Sequence, residues 1–380
     1  MKFKIDIRDK ATKARTGMLT LNHGIVKTPA FMPVGTNGTV KALHHKTVQG
    51  IGFNLILANT YHLFLRPGWD VIKSVSGLHR FMGWTGNILT DSGGYQIFSL
   101  APFRKIIPDQ GIKFRSHIDG TMFTLSPESV IDFQQCLGSD VCMPLDVCTA
   151  PGITYKKAYE AAAVTTAWAE RSRERAVFWE KEGGVTVFGI IQGNFFRDLR
   201  EKSAHEILNL DFPGVAIGGL SVGETPEIFS EYLHFTAGLL PDDKPRYVMG
   251  IGTPGYLLEA VEAGIDMFDC VFPTRIARNG TVFTKKGPLA LKKEWNRLNG
   301  DPIDETCTCT ACSSHSVAYL RHLFKCNEIL GAMLATEHNL HFINSFMENI
   351  RLSIEAGNFP EFKRQFLEVY RAGKHGQSGK

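Results

Sequence analysis

The feature that most constrains this fold is a series of eight short apolar runs, each ending in Gly, Asn, Asp or Gln. Helix-like stretches separate the runs, which do not alternate apolar and polar residues, and this pattern is typical of buried parallel strands. Eight such strands predict an α/β fold, a closed (β/α)8 TIM barrel, with a doubly wound open sheet as the alternative. The runs are Phe31–Gly35, Asn54–Asn59, Asn87–Asp91, Val141–Asp146, Thr186–Gln192, Val215–Gly219, Tyr247–Gly250 and Asp266–Asp269.

Composition indicates a globular protein but does not indicate its function. The 380 residues are 43% hydrophobic and 21% charged, which suits a globular protein with a sizeable core. A net charge of +4 permits an acidic partner such as RNA without requiring one. The amino terminus has no apolar signal-peptide core and no apolar run reaches membrane-spanning length, so we expect a cytoplasmic protein without a membrane partner.

The cysteines predict a metal site. Three of the eight lie within six residues, at Cys307, Cys309 and Cys312, and the others are scattered. Three thiolates and one imidazole form a closed tetrahedral site of the structural type, so we expect one structural Zn²⁺ per subunit. His338 follows Cys312 by 26 residues, but spacing alone leaves three other histidines as candidates for the fourth ligand. These are His315, His322 and His341.

Polar residues at the predicted strand ends indicate where the chemistry lies. Barrel enzymes place their active sites at this rim, and an ionised carboxylate next to an apolar run is costly unless it is paired or used. Two carboxylates can break a glycosidic bond, one as nucleophile and one as general acid/base. Another carboxylate, a Gln amide and glycine N–H groups could recognise guanine, although the 218–224 segment could instead cradle a phosphate. The strand-end residues are Asp91, Asp146, Gln192, Gly218, Gly219 and Asp269.

These motifs together resemble the tRNA-guanine transglycosylase family over nearly the whole chain. The resemblance rests on five segments and on the Cys3His cluster with its neighbour Asn339. The segments are Thr28–Gly35, Thr90–Gln96, Gly218–Glu224, Met249–Pro254 and Asp269–Gly280.

The resemblance implies a role for each site residue. It makes Asp269 the nucleophile that bonds covalently to the ribose and Asp91 the general acid/base. It also assigns the base-binding residues Asp146, Gln192, Gly219, Leu220, Tyr95 and Met249, and the metal ligands Cys307, Cys309, Cys312 and His338.

The implied reaction exchanges guanine at the anticodon wobble position of tRNA for a 7-deazaguanine base, in queuosine modification. Arg275, Arg278, Lys285 and Lys286 follow the nucleophile and are candidates to bind tRNA phosphates, unless they form a solvated basic loop. The family forms homodimers. Its interface residues match Phe81, Tyr319 and His322, although such aromatic residues could equally be buried.

One residue departs from the family pattern. Bacterial members usually have Asp-Glu-Cys where this chain has Asp146, Val147 and Cys148, and the missing acid adjoins the base pocket. Val222 and Cys148 match the bacterial type, so we expect 7-aminomethyl-7-deazaguanine as the incoming base, with queuine as the alternative. The rival functions are a retaining glycosidase acting on carbohydrates and a zinc-containing RNA-binding subunit without activity.

The predicted division of the chain has four parts. An antiparallel prelude, indicated by alternating residues, occupies 1–28, and the main part of the barrel occupies 29–275. A zinc-binding subdomain at 276–345 is inserted near the carboxyl terminus, and 346–380 contains a helix and a tail that is frayed from about 365. Asp119-Gly120 predicts a hairpin within an insertion at about 95–125.

Overall fold

A computed structural model describes residues 1–100, 103–180 and 184–377, without the side chains beyond 370. All eight predicted strands are present in it. The fifth is divided at Phe188 into two short segments. The barrel strands are Ala30–Pro33, Leu55–Ala58, Asn87–Thr90, Val141–Cys142, Thr186–Val187 with Gly189–Ile191, Val215–Ile217, Arg246–Val248 and Met267–Cys270.

The pairing of these strands closes the barrel. Strands two to five form one parallel sheet, and the second half of strand five continues into a sheet of strands six, seven, eight and one. Strand eight pairs with strand one through Met267 and Ala30. The remaining junction, between strands one and two, is a parallel bridge from Val34 to Leu57. The (β/α)8 barrel is therefore confirmed, and the open doubly wound sheet is wrong.

Two other features fill and cover the barrel. The first 28 residues form an antiparallel sheet, and its Leu19, Leu21 and Val26 pack with the apolar side chains inside the barrel. A second core lies between the strands and the surrounding helices. The strands of this first sheet are Lys2–Arg8, Arg15–Leu21 and Gly24–Thr28.

The helices follow the strands as the alternating pattern predicts. Ser126 accepts a hydrogen bond from Ser129 N and precedes Pro127, which is the cap that this Ser-Pro pair indicates. The stretch 155–182 is rich in Ala and Glu, which predicts a long helix closed by Gly183; the structure describes this helix as Tyr155–Glu180, and Gly183 lies outside the described residues. The other helices of the barrel region are His45–Ile51, Thr60–Leu65, Trp69–Ser74, Leu78–Met82, Gly94–Leu100, Pro127–Leu137, Arg197–Asn209, Pro226–Ala237, Pro254–Glu262 and Phe272–Arg278.

The insertion after strand three is an antiparallel sheet of three strands, with the predicted hairpin turn at Asp119-Gly120. These strands are Arg104–Ile107, Gly111–Arg115 and Met122–Leu125.

The carboxyl-terminal third contains a hairpin, a small helical unit and two longer helices. The long helix Ile329–Glu355 packs against the helices that follow strands one and seven, so it occupies the position of the eighth barrel helix. It also crosses residue 345, where the sequence placed a boundary. The last helix, Phe359–Gln377, covers most of the segment for which a frayed tail was predicted. The remaining elements are Thr281–Thr284, Gly287–Ala290, Glu294–Asn296, Thr310–Ser314 and Val317–Lys325. Across the described ranges, none of the helices has both the length and the apolar character needed to cross a membrane.

Candidate active site and metal centre

Three aspartates lie at the carboxyl ends of barrel strands, as the sequence predicts. Asp91 follows strand three, Asp146 follows strand four, and Asp269 is the penultimate residue of strand eight. Side chains at this end of a parallel barrel converge on one rim. The charge of Asp269 contributes to raising the pKa of Asp91, so the two carboxyl groups belong to one site.

Asp91 is held by the end of strand two. The Thr60 N–H donates to Asp91 Oδ1 at 2.8 Å, and the Asn59 amide donates to Asp91 Oδ2. The side chain is buried, and its pKa is raised to about 7, chiefly by burial. The charge of Asp269 adds to this shift, and the hydrogen bonds from Asn59 and Thr60 oppose it. A carboxyl group with this pKa can both give and take a proton near neutrality.

Among the described residues, Asp269 is held by neutral donors only. Tyr247 Oη donates to Asp269 Oδ1 at 2.5 Å, and Gly250 N–H donates to the same oxygen at 2.9 Å. Burial raises the pKa of Asp269, while these two hydrogen bonds stabilise its ionised form. Oδ2 has no partner among the described residues, so it is available to a substrate atom.

Asp146 and Gln192 form a connected pair. Gln192 Nε2 donates to Asp146 Oδ2 at 2.8 Å, and Ser92 Oγ donates to Asp146 Oδ1 at 3.0 Å. Both residues are buried, and burial raises the pKa of Asp146. Gln192 Oε1 is buried without a hydrogen-bond partner in the described chain. An unpaired buried acceptor next to a carboxylate suits a ligand that offers several N–H donors.

The loop after strand six is glycine-rich because of Gln192. A Cβ at Gly218 would lie 2.6 Å from Gln192 Nε2, and a Cβ at Gly219, where φ is +67°, would lie 2.6 Å from Gln192 Oε1. Arg200 is fully buried beneath the loop and donates to the Gly218 carbonyl at 3.2 Å. Within the described part of the chain, the N–H groups of Gly219 and Leu220 donate to no acceptor, so both remain available to a ligand.

The phosphate-cradle alternative for this loop does not suit the structure. The Glu224 carboxylate accepts from Val222 N–H at 2.8 Å and from Ser221 N–H. Two of the loop's backbone donors are therefore already bound to a negative charge, and the Glu224 carboxylate would repel a phosphate beside them.

The two other predicted base-binding residues differ in exposure. Tyr95 lies on the helix Gly94–Leu100 and is 50% exposed, whereas Met249 is half-buried and packs against the side chains inside the barrel. Val147, the departure from the family pattern, is buried in an apolar cluster with Phe114 and Trp168. Its N–H donates to Thr165 Oγ1 at 3.0 Å. The departure therefore changes the packing behind the site more directly than its lining.

The predicted metal ligands come together beside the long helix Ile329–Glu355, which carries His338. His338 Nδ1 lies 3.8, 3.5 and 3.2 Å from the sulfur atoms of Cys307, Cys309 and Cys312. Tetrahedral Zn²⁺ with its usual bond lengths separates a nitrogen and a sulfur ligand by about 3.6 Å. The His338 Nε2–H donates to Phe283 O at 2.8 Å, which directs the Nδ1 lone pair towards the sulfurs. The four side chains therefore fit a zinc ion.

The structure also separates the candidate histidines. His341 Nδ1 is 3.6 Å from Cys307 but bonds no other cysteine, and its Nε2 lies 3.3 Å from Thr308. The His315 ring stacks on Tyr319 of the helix Val317–Lys325, and His322 of the same helix forms a tilted ring pair with Tyr319. Only His338 reaches all three thiols within the described chain.

A second group of ligand-type side chains does not suit a metal. His23, His79 and Asp140 lie together at the opposite end of the barrel. The two imidazole rings are stacked with centroids 3.7 Å apart and planes inclined by 19°, so one ion cannot lie in the planes of both rings. His79 Nε2 lies 3.0 Å from the Gly86 carbonyl, an acceptor, which fixes a proton on that nitrogen. The His23 ring instead hydrogen-bonds the buried Asp140 carboxylate at 2.8 Å, which also accepts from the Ile88 N–H.

The predicted tRNA-binding cations follow strand eight. Arg275 and Lys286 are exposed, and Lys285 donates to Thr306 Oγ1 at 2.5 Å beside the metal ligands. Arg278 is half-buried, and its Nη1 has no hydrogen-bond partner among the described residues. Burial lowers the pKa of Arg278, and the charge of Arg275 lowers it further.

Several residues that hold the site escaped the sequence analysis. Asn59 ends the second apolar run, so the rule that selected Asp91 also selects Asn59. Tyr247 lies inside an apolar run and Arg200 in the middle of a helix, where nothing in the pattern distinguishes them from other buried or solvated residues.

Comparison with known proteins decides the family. The family model for queuine tRNA-ribosyltransferase matches residues 9–372. The queuine tRNA-ribosyltransferase of Desulforamulus reducens is 51% identical over 98% of this chain and all of its own length. The corresponding proteins of Desulforudis audaxviator and Borrelia hermsii are 49% and 50% identical, over 96% and 98% of this chain and 97% and 99% of their own lengths.

This chain belongs to the queuine tRNA-ribosyltransferase family. It is therefore a pentosyltransferase enzyme of the tRNA-guanine transglycosylase type. Membership agrees with the (β/α)8 barrel and with the Cys3His group near the carboxyl terminus.

Proposed function

We propose that this enzyme removes guanine from the wobble position of a tRNA anticodon and inserts a 7-deazaguanine base through a covalent bond between Asp269 and the ribose. The observation that carries the proposal is the contrast between two carboxyl groups of one site, the buried Asp91 and the partly buried Asp269. Asp91 has a pKa of about 7, whereas Asp269 receives two neutral donors on Oδ1 and keeps Oδ2 free.

In the first half of the reaction, Asp269 Oδ2 attacks the ribose C1′ and the bond from C1′ to guanine N9 breaks. The electron pair of that bond leaves with guanine, and protonated Asp91 supplies the proton that the departing base needs. Tyr247 and Gly250 keep the attacking carboxylate ionised and oriented. Guanine must first be flipped out of its stack, which costs a few kcal/mol.

The second half reverses these roles. Asp91, now ionised, takes a proton from N9 of the incoming base, and N9 attacks C1′ while the bond to Asp269 breaks. Two displacements at C1′ restore the original configuration. Asp91 ends the cycle protonated and Asp269 ends it ionised, so no further reactant is consumed.

Asp146 and Gln192 are placed to recognise the base. Asp146 has lone pairs left to accept from the N1–H and the exocyclic amine, and Gln192 Nε2 has a second N–H for O6. The free N–H groups of Gly219 and Leu220 offer further donors. Tyr95 and Met249 would then enclose the two faces of the ring.

The incoming base we favour is 7-aminomethyl-7-deazaguanine. This preference rests on Val222 and Cys148, which match the bacterial type, and queuine is the alternative because of Val147. Burial raises the pKa of Cys148 to about 12, so its thiol stays neutral and serves as a packing group beside Asp146.

The rest of the molecule fits a tRNA-binding homodimer. Arg275, Arg278, Lys285 and Lys286 are the proposed phosphate ligands. Tyr319 and His322 lie on an exposed helix next to Ile329, which is 75% exposed, and we propose this face, together with Phe81, as the dimer interface. One structural Zn²⁺ per subunit would be held by Cys307, Cys309, Cys312 and His338, and would link the segment 307–312 to the long helix Ile329–Glu355. We place the enzyme in the cytoplasm, where its cysteines remain reduced.

The test is an exchange assay with tRNA that carries labelled guanine at the wobble position. We expect label release with 7-aminomethyl-7-deazaguanine and none with queuine. Release with queuine alone would overturn the choice of base and leave the reaction intact. If neither base released label from folded, zinc-loaded protein, the proposed exchange would be wrong.

A further inference from the structure

The sheet inserted after strand three has one covered face and one free face. Its inner side chains Ile112, Phe114 and Leu125 are buried against Tyr61 and Ile97. The insertion follows Asp91 along the chain and so lies at the carboxyl ends of the barrel strands, where the active site lies. The outer face of the sheet is therefore exposed beside the catalytic rim.

The outer face is basic. Lys113 and Arg115 are two residues apart on the middle strand, so they share a face, and Lys105 pairs directly with Lys113 from the neighbouring strand. All three are exposed. Within the described chain none of them has an ion pair or a side-chain hydrogen bond.

This arrangement is unfavourable for the isolated protein. Like charges directly opposite each other on antiparallel strands are destabilising, and Lys105 faces Lys113 without an acid to separate them. The hairpin's Asp119 is turned to its own loop, where it accepts from Thr121 N–H at 3.1 Å. An anion bound across the face would remove the repulsion.

Apolar side chains lie among these cations. Met122 is 40% exposed and pairs with Arg115 on the outer face, and Phe103 is 44% exposed next to the first strand. Cations interleaved with exposed apolar groups suit a polynucleotide, because the cations contact phosphates while the apolar groups contact sugars or bases.

A hydrogen bond and a close backbone contact connect the sheet to the catalytic rim. Tyr61 Oη and His117 Nδ1, at the end of the sheet, are 2.7 Å apart in a hydrogen bond. The backbone of Tyr61 also packs closely under Gly93, where a Cβ would lie 3.0 Å from Tyr61 N. Gly93 is two residues beyond Asp91, so a chain that enters the active site passes near this sheet.

We propose that the outer face formed by Lys105, Lys113 and Arg115 binds the ribose-phosphate backbone of the tRNA whose anticodon loop occupies the active site. The proposal rests on the proposed function for the identity of the RNA. It adds a second phosphate-binding surface, separate from the cations that follow strand eight.

The experiment compares equilibrium binding of unmodified tRNA, over a range of salt concentrations, by the wild type and the triple variant K105Q/K113Q/R115Q. Each lost phosphate contact reduces the slope of log Kd against log salt by about 1, so we expect the slope to fall by about 2 to 3. Affinity at low salt should weaken by about tenfold, and KM for tRNA should rise while kcat is retained.

The matched control is Lys10→Gln, an exposed lysine at the opposite end of the barrel. It should leave Kd and the salt slope unchanged. Melting temperatures check the fold, and removal of Lys113 should leave the melting temperature of the protein unchanged or raise it, since repulsion with Lys105 is lost.

The outcomes separate this proposal from the proposed reaction. Wild-type affinity and salt slope in the folded triple variant would overturn the phosphate-binding face and leave the exchange reaction untouched. A weaker, less salt-dependent triple variant, in an enzyme whose wild type binds tRNA but releases no guanine, would support the face and reject the reaction.

Discussion

Two aspartates, three residues apart, lie at the two ends of barrel strand eight and have opposite surroundings. Asp266 precedes the strand and is bound by the buried Arg15 guanidinium at 2.6 and 2.9 Å. Asp269 near the other end is only partly buried, and among the described residues it receives just a phenol and a backbone N–H. Burial raises the pKa of both, but only Asp266 has a cation to offset it.

The different partners give the two aspartates different roles, Asp266 in the stability of the fold and Asp269 in the proposed reaction. A carboxylate in a two-pronged bond to a guanidinium has both oxygens occupied and cannot attack a substrate, although it fixes the antiparallel sheet to the barrel. A carboxylate with one free oxygen and no cation is costly to bury and available to react. Five experiments test this contrast, in decreasing order of expected effect.

The largest effect should come from Asp269→Asn. Loss of the nucleophile should reduce the rate of guanine exchange by about 10⁴-fold or more, as for other nucleophiles that act within a catalytic unit. Unfolding and tRNA binding should stay close to wild type, because an uncompensated buried charge has been removed. Measurable turnover within tenfold of wild type would exclude Asp269 as the nucleophile.

Asp266→Asn should have the opposite profile. It leaves the Arg15 guanidinium buried without its counter-charge, so the free energy of unfolding should fall by about 3–5 kcal/mol. Denaturant unfolding measures the loss, and exchange per folded molecule should be retained. The Asp266→Asn/Arg15→Met double variant is the control and should recover much of the stability. A large loss of exchange rate in the folded single variant would show that Asp266 also takes part in the reaction, which would contradict the comparison.

The third effect is a pH dependence from Asp91, another carboxyl group without a cation. Its pKa is raised to about 7, so between about pH 4 and 7 the folded protein holds a proton that the unfolded chain has released. Stability from this group is therefore lost as pH rises through that window. Relative to Asp91→Asn, the wild type should lose roughly 3 kcal/mol of unfolding free energy between pH 4 and 7.

Urea unfolding at several pH values measures this difference, with the exposed Asp243→Asn as control. The same pKa predicts that kcat/KM for guanine release falls as pH rises through about 7, because Asp91 must supply a proton. A pH-independent gap between wild type and Asp91→Asn would contradict the assignment.

Cys309→Ser tests the metal centre. There a bound Zn²⁺ would offset the charge of the cysteine thiolates, as the Arg15 guanidinium offsets the charge of Asp266. We expect loss of about one zinc per subunit and of roughly 3 kcal/mol of stability, the range for a lost metal site. Metal analysis and thermal unfolding measure the two effects. The exposed thiol of Cys326 provides the matched variant, Cys326→Ser, which should keep both zinc and stability. Full zinc content in Cys309→Ser would show that the ligand set is wrong.

The smallest effect should come from Tyr247→Phe. It removes one of the two donors to Asp269 Oδ1 while keeping the ring inside the barrel, and a hydrogen bond to a charged group contributes about 1.5–3 kcal/mol. Exchange should therefore slow by roughly ten- to a hundredfold, chiefly in kcat. The pH at which Asp269 ionises should rise in the variant, and an unchanged pH profile would show that Tyr247 does not stabilise the carboxylate.

The sequence by itself determined eight buried strands and most of the rim, whereas the pairing of the strands decided between a closed barrel and an open sheet. Unbroken apolar runs are typical of buried parallel strands, and their polar last residues identified Asp91, Asp146, Gln192 and Asp269 because parallel strands end at a common edge. The spacing of the three cysteines likewise indicated the metal centre. These features are local in the chain, so a pattern of neighbours is enough to find them.

Only the tertiary structure decided which groups meet across the barrel. It chose His338 over His341 through distances of 3.2–3.8 Å to three sulfurs, and it placed Asn59 and Thr60 on Asp91. It also gave Asp266 and Asp269 different partners, although both are aspartates of one strand. Their partners lie up to 251 positions away in the chain. The protonation and the role of a buried carboxyl depend on those distant donors, which no local pattern encodes.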